Sequence, residues 1–226
     1  MSSVPVPHAA LDLAIGLVNT YDLLEPEPDR LSIRILVALA RRGGYDDLAE
    51  RLAAAPEADA LLDRVREIRG RFYRIFEAGA TGDAAATIAA LNEALDAQPL
   101  RPAAVALPDG TVRLSARLTA ARSGGDPVAR PGEAGGDPVA RSGGDPVARS
   151  GGDPVAELAA IAVDALAQAM AVGGPGRFGT CAGNPCKCAY VDRTRAGRQR
   201  FCCQLCNDRM AAAAYRSRRA GASATA

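Results

Sequence analysis

Tryptophan is absent from this chain, Phe and Tyr bring the aromatic share to only 4%, and a single histidine, His8, is present. With so few large rings, a core has to be assembled from Leu, Ile, Val and abundant Ala, a supply that suits closely packed helices. One histidine in an N-terminal tail argues against His-based catalysis and against a His-ligated metal. A Walker loop, a dinucleotide fingerprint and a metalloprotease helix are also missing, so the sequence points away from an enzyme. Apolar runs such as Ile35–Ala40 are too short to span a bilayer. Met1–His8 is polar and proline-bearing and does not follow the plan of a signal peptide. A cytoplasmic protein without membrane contact is expected. Cysteine is missing from the first 180 positions, and all six cysteines fall between Cys181 and Cys206. That clustering excludes a disulfide framework spread through a secreted domain and favours a local metal site.

The 226 residues, 48% of them hydrophobic, suffice for one domain of ordinary size and a small second one. A net charge of +1 hides a strong asymmetry. Residues 1–122 carry 14 basic against 17 acidic groups and residues 123–176 carry 3 against 7, whereas residues 177–226 carry 10 against 2. The last segment stays positive even after four thiolates and a divalent cation are counted, and such a field attracts phosphate.

Helical spacing recurs through the first half. The stretch 9–24 fits a helix, although Leu11, Leu13, Ile15 and Leu17 also alternate as in a strand. Leu31–Arg42 is a clearer helix ending at Gly43 and Gly44, and a short one is expected over Asp46–Ala54. Over Pro56–Ala78, Leu61, Leu62, Val65, Ile68, Phe72, Ile75 and Phe76 recur at three- and four-residue steps among charges. Gly79 and Gly82 are expected to close that helix, and Asp83–Asp96 to form another with Ile88, Leu91 and Leu95 on one face. A Pro-Asp-Gly turn between Ala103–Leu107 and Thr111–Leu118 predicts a β-hairpin.

Gly-Gly-Asp-Pro-Val-Ala begins at Gly124, Gly135, Gly143 and Gly151. The unit has too little apolar bulk to build a solenoid, so residues 123–152 are expected to be a disordered insertion. In its last copy Asp153 can cap and Pro154 can open an amphipathic helix reaching about Ala171, with Gly173–Gly176 as a hinge beyond it.

The cysteine segment reads Cys181-Ala-Gly-Asn-Pro-Cys186, then fifteen intervening residues, then Cys202-Cys-Gln-Leu-Cys206. Two thiolate pairs satisfy the tetrahedral demand of zinc, and four sulfurs leave no open position for catalytic water. One structural zinc on Cys181, Cys186, Cys202 and Cys206 is expected, with Cys188 and Cys203 as bystanders. Spacing alone leaves open Cys188 in place of Cys186, or Cys203 in place of Cys202. Two short strands, Ala189–Asp192 and Arg198–Phe201, followed by a helix to about Arg219, would give a treble-clef-like finger.

At these residues the chain resembles the CGNR zinc-finger family. The resemblance rests on the two cysteine pairs, Tyr190 and Asp192, the Arg-rich stretch through Arg193, Thr194, Arg195, Gly197, Arg198, Arg200 and Phe201, and the basic helix with Arg209, Tyr215, Arg216 and Arg218. The naming tetrapeptide is altered here to Cys206-Asn207-Asp208-Arg209. Leu11-Asp12-Leu13 with Val18-Asn19-Thr20 is similar to the opening of the ABATE domain that precedes this finger in the family. The resemblance implies a stress-related transcriptional regulator.

The combined expectation is an α+β chain. A mainly helical, ABATE-like domain with one hairpin would occupy 1–122 and 153–172, the finger 177–219, and a disordered tail 220–226. Arg193, Arg195, Arg198, Arg200, Arg209, Arg216, Arg218 and Arg219 would face DNA, and the same chemistry serves RNA. Asp12, Asn19 and Thr20, polar groups in an apolar stretch, are candidates for a small-molecule effector site, with capping and turn bonds as the plainer alternative. Homodimerisation is the other task open to the helical domain. The competing function is a protein-docking module whose basic helix takes an acidic partner.

Overall fold

The structure is a computed structural model describing residues 8–98, 100–106, 112–118 and 152–224. The expected hairpin turn and nearly all of the repeat insertion lie outside the described residues. Helices α1 (His8–Val18), α2 (Ile33–Arg42), α3 (Asp46–Ala53), α4 (Ala58–Ala80) and α5 (Ala84–Asp96) come first. Strands β1 (Leu100–Ala106) and β2 (Val112–Leu118) pair antiparallel from Leu100↔Leu118 to Ala106↔Val112. Helix α6 (Pro154–Gly173) then leads through one 3-10 turn, Pro175–Arg177, into β3 (Phe178–Thr180), β4 (Ala189–Val191) and α7 (Gln204–Ala224).

Local chemistry explains the helix starts. The Ser32 hydroxyl accepts the Ile35 N–H, the Asp83 carboxylate accepts that of Ala86, and Asp153 accepts that of Val155 with Pro154 in the first turn. Gly44, at φ +80°, makes the corner between α2 and α3.

Helix α6 forms the centre, buried along almost its whole length against α1, α3, α4 and α5. Its small Ala159, Ala160, Ala162 and Ala165 let those helices approach closely. By length and apolarity α6 could cross a membrane, but it is mostly buried inside the protein, as a core helix is. Glu157 in its first turn is 1% exposed, favoured there by the helix dipole and by an ion pair with Arg51. Helix α4 buries Leu61, Val65, Ile68, Phe72, Ile75 and Phe76 along one stripe.

Several expectations are corrected. The helix expected over 9–24 forms but ends at Val18, and His8 begins α1 rather than lying in a tail. Ile88 faces outward at 44% exposure. Gly79 is the penultimate residue of α4, where an added Cβ would stand 2.3 Å from the Phe178 carbonyl, and Gly82, at φ +77°, follows the helix end. The expected hinge at Gly173–Gly176 is a tight corner, with the Gly174 N–H donated to the Met170 carbonyl. Beyond it the finger packs onto the helices: Phe178 is 2% exposed within the main core, its ring 5.4 Å from that of Phe76.

Candidate metal centre and nucleic-acid interface

Strands β3 and β4 pair antiparallel, Phe178↔Val191 to Thr180↔Ala189, and the loop joining them carries the first cysteine knuckle. The expected partner, Arg198–Phe201, forms no strand. Its backbone groups are taken otherwise. Gln199 N–H donates to Asp192 Oδ2 at 2.9 Å, the Tyr190 hydroxyl donates to the Gln199 carbonyl at 2.7 Å, and the Arg200 carbonyl accepts Ala182 N–H at 2.8 Å. Asp192, 6% exposed, also accepts the Thr194 N–H and hydroxyl and faces the Arg177 guanidinium at 3.8 Å. Burial opposes its ionisation, but the Thr194 and Gln199 bonds and Arg177 outweigh it and hold the carboxyl below its ordinary range.

This frame brings Cys181, Cys186, Cys202 and Cys206 together, their sulfurs all within 4.8 Å of one another. The Cys186–Cys202 and Cys202–Cys206 sulfur separations are 3.7 and 3.8 Å. Four sulfurs at tetrahedral corners about 2.3 Å from zinc stand about 3.8 Å apart, so the donors fit the ion. Cys181, Cys186 and Cys206 are buried and Cys202 half-buried. Burial works against ionisation of Cys181, but the Cys202 and Gly183 N–H groups, each 3.4 Å from its sulfur, hold its thiol below the usual value. Burial and the adjacent Cys181 and Cys186 sulfurs push Cys202 up, and burial with Cys186 pushes Cys206 up to about 12. A divalent cation relieves that crowding by replacing protons and cancelling repulsion.

The two other cysteines lie beside this quartet: Cys188 clusters with Cys186 and Asp22, and the Cys203 sulfur is 3.8 Å from that of Cys202. Cys188 contributes its carbonyl to Cys181 N–H at 2.9 Å, while Cys203 is exposed. The four sulfurs that gather within reach of one ion are those of Cys181, Cys186, Cys202 and Cys206.

Helix α7 springs from the centre, with Cys206 as its buried residue among those whose side chains are described. Half-buried Arg209, Met210 and Ala213 continue the same face toward the finger. Tyr215, Arg218 and Arg219 are exposed on the far side, with the Arg219 guanidinium 6.0 Å from the Tyr215 ring. Arg198 and Arg200 line a groove of about 490 Å³ with Gln204 and Asn207 from the start of α7. Arg195, Arg216 and Arg218 are exposed. Two of the expected arginines have structural partners: Arg193 is ion-paired with Asp12, and Arg209 donates to the Asn184 carbonyl at 2.7 Å.

The three polar residues considered for an effector site also have internal partners. Besides Asp12, Asn19 pairs its amide with both backbone groups of Ala189, and the Thr20 hydroxyl donates to the Leu17 carbonyl while accepting from Arg69. Sequence reasoning missed Arg177, Phe178 and the clamping role of Asn19. The signal for Phe178 was a lone large apolar residue in a Gly- and Arg-rich stretch.

A closed four-sulfur centre at the root of a basic helix defines a zinc-finger protein, here with the finger built onto a helical domain. Residues 177–219 match the CGNR zinc finger, and residues 11–171 match the ABATE family, described as "Putative stress-induced transcription regulator". The chain belongs to the ABATE family, and its four clustered cysteines hold one structural zinc. No curated protein matches it by sequence.

Proposed function

We propose that this is a cytoplasmic, DNA-binding transcriptional regulator whose zinc aligns the finger arginines on one surface. The observation that carries this is the contrast in how arginines are partnered. In the helical domain Arg30, Arg51, Arg64, Arg66, Arg69 and Arg74 are ion-paired, six of the eleven arginines whose side chains are described there. Of the finger's arginines, Arg177 and Arg193 are ion-paired. An arginine held by a carboxylate must break that pair to take a phosphate; an unpaired one need not. Arg195, Arg198, Arg200, Arg216 and Arg218 therefore form the DNA-facing set, while Arg193 and Arg209 orient the finger.

The test is selection of duplexes from random DNA by the full-length, zinc-loaded protein, followed by binding at graded salt. Selection of a shared motif is expected, with affinity falling steeply as salt rises. Replacing Arg195, Arg198 and Arg200 together by Ala is expected to weaken binding to all duplexes and flatten the log–log salt slope by about 2 to 3. Exposed Leu205 and Tyr215, at 65% and 54%, favour the second reading, docking of an acidic protein. Retention of no duplex at low salt decides for it.

A further inference from the structure

A cavity of about 320 Å³ opens where the first cysteine knuckle meets the helical domain. Val18, Tyr21, Leu23 and Tyr73 give it mainly apolar and aromatic walls, and Lys187 stands at its rim. The volume is at the lower end for small-molecule sites and suits a body of one or two rings. Tyr73 donates its hydroxyl to the Lys187 carbonyl at 3.0 Å, which fixes the knuckle over α4.

Charge and shape each carry the argument. Arg66 and Arg69 also line the cavity, but Asp29 and Asp63 answer them at 2.5–3.1 Å. Lys187, the chain's single lysine, forms no ion pair among the described residues, so it can offer its ammonium to a ligand at the rim. The shape comes from Gly70, a glycine inside α4 where alanine would favour the helix by roughly 0.5–1 kcal/mol. Gly79 in the same helix is explained by the passing Phe178 backbone, yet a Cβ on Gly70 would meet nothing within 4 Å. What its missing side chain does is leave the cavity open.

We propose that this cavity binds a small aromatic carboxylate, its ring among Val18, Leu23, Tyr21 and Tyr73 and its carboxylate on Lys187. Lys187 lies between Cys186, a zinc ligand, and Cys188, and Ala189 just beyond is clamped by Asn19 next to Val18. Occupancy therefore bears on both sides of the junction between helices and finger, and its regulatory consequence rests on the DNA-binding reading above.

The experiment is a fluorescence titration of 1-naphthoate into the full-length, zinc-loaded protein, with neutral 1-naphthamide as control. Saturable binding of naphthoate at one site is expected, with the amide at least about ten-fold weaker, the scale of one hydrogen bond to a charged group. Lys187→Gln should weaken naphthoate about ten-fold while leaving the amide unchanged. Gly70→Leu, a change that favours the helix, should abolish binding of both without lowering the melting temperature. Absence of naphthoate binding, equal binding of the amide, or unaltered binding by Gly70→Leu overturns the site. DNA retention with and without naphthoate is read separately: naphthoate binding that follows the variant pattern upholds the site even where no duplex is retained, and that result rejects only the DNA-binding reading.

Discussion

Asn19 stands one residue beyond α1 and treats Ala189 as a neighbouring strand would, donating from Nδ2 at 2.9 Å and accepting at Oδ1 at 2.7 Å. No other side chain of that length offers both a donor and an acceptor in this geometry except an amide. Asn19→Ala leaves a partly buried N–H and carbonyl without partners, so a loss of about 1–3 kcal/mol is expected in urea unfolding. Asn19→Asp, which keeps the acceptor and loses the donor, should recover no more than part of it, and wild-type stability in either variant would deny the clamp. Asp29 makes a pH prediction. Hydrogen bonds from Arg69, opposed by partial burial and joined by Leu31 N–H and Arg66, hold its carboxyl far below the ordinary range. A depressed folded value means stabilisation that is complete above the unfolded value of about 3.9 and is lost as pH falls below it. The stability gap between wild type and Asp29→Asn should be constant from pH 7 to about 5 and narrow below about 4. Comparing the two proteins at each pH cancels the loss of zinc in acid.

Helix α4 contains two glycines in different surroundings, and opposite signs are expected for the same substitution. Gly79→Ala drives a methyl into the Phe178 carbonyl, costing about 1–3 kcal/mol as overpacking does, whereas Gly70→Ala should stabilise by about 0.5–1 kcal/mol. Thermal unfolding of the pair checks this, and equal shifts would mean β3 yields to the added methyl. Sequence pattern predicted α4 well because its buried stripe and its charges are written in one local run. The metal cluster was legible for a similar reason, all six cysteines falling in one short segment, although spacing did not separate Cys186 from Cys188 or Cys202 from Cys203. Strand pairing in the finger was not, since Phe178–Thr180 and Ala189–Val191 are three residues each and carry no period. What joins them is long-range, namely Phe178 packing on α4 and Asn19 on β4. The packing reason for Gly79 was not legible, because close approach by a distant backbone leaves no trace in local sequence.

At the scale of the molecule, Phe178 and Ala189 belong to the same core as α1, α4 and α6, while the sulfurs form a cluster of their own. The finger is therefore no independent bead. Its zinc sets the knuckle and the root of α7, and its β-pair helps to close the helical domain. Phe178→Ala removes a ring packed on Phe76 and opens a cavity beneath β3, a change costing about 3–5 kcal/mol for a buried phenylalanine. Unfolding in urea, followed in parallel by helical circular dichroism and by zinc release to a coloured chelator, should give coincident transitions in the wild type. In the variant both should move to lower urea together. A helical signal that stays at its wild-type midpoint while zinc leaves early would instead mean that the two parts fold separately, and the charge of the finger would then have no rigid platform on which to be aligned.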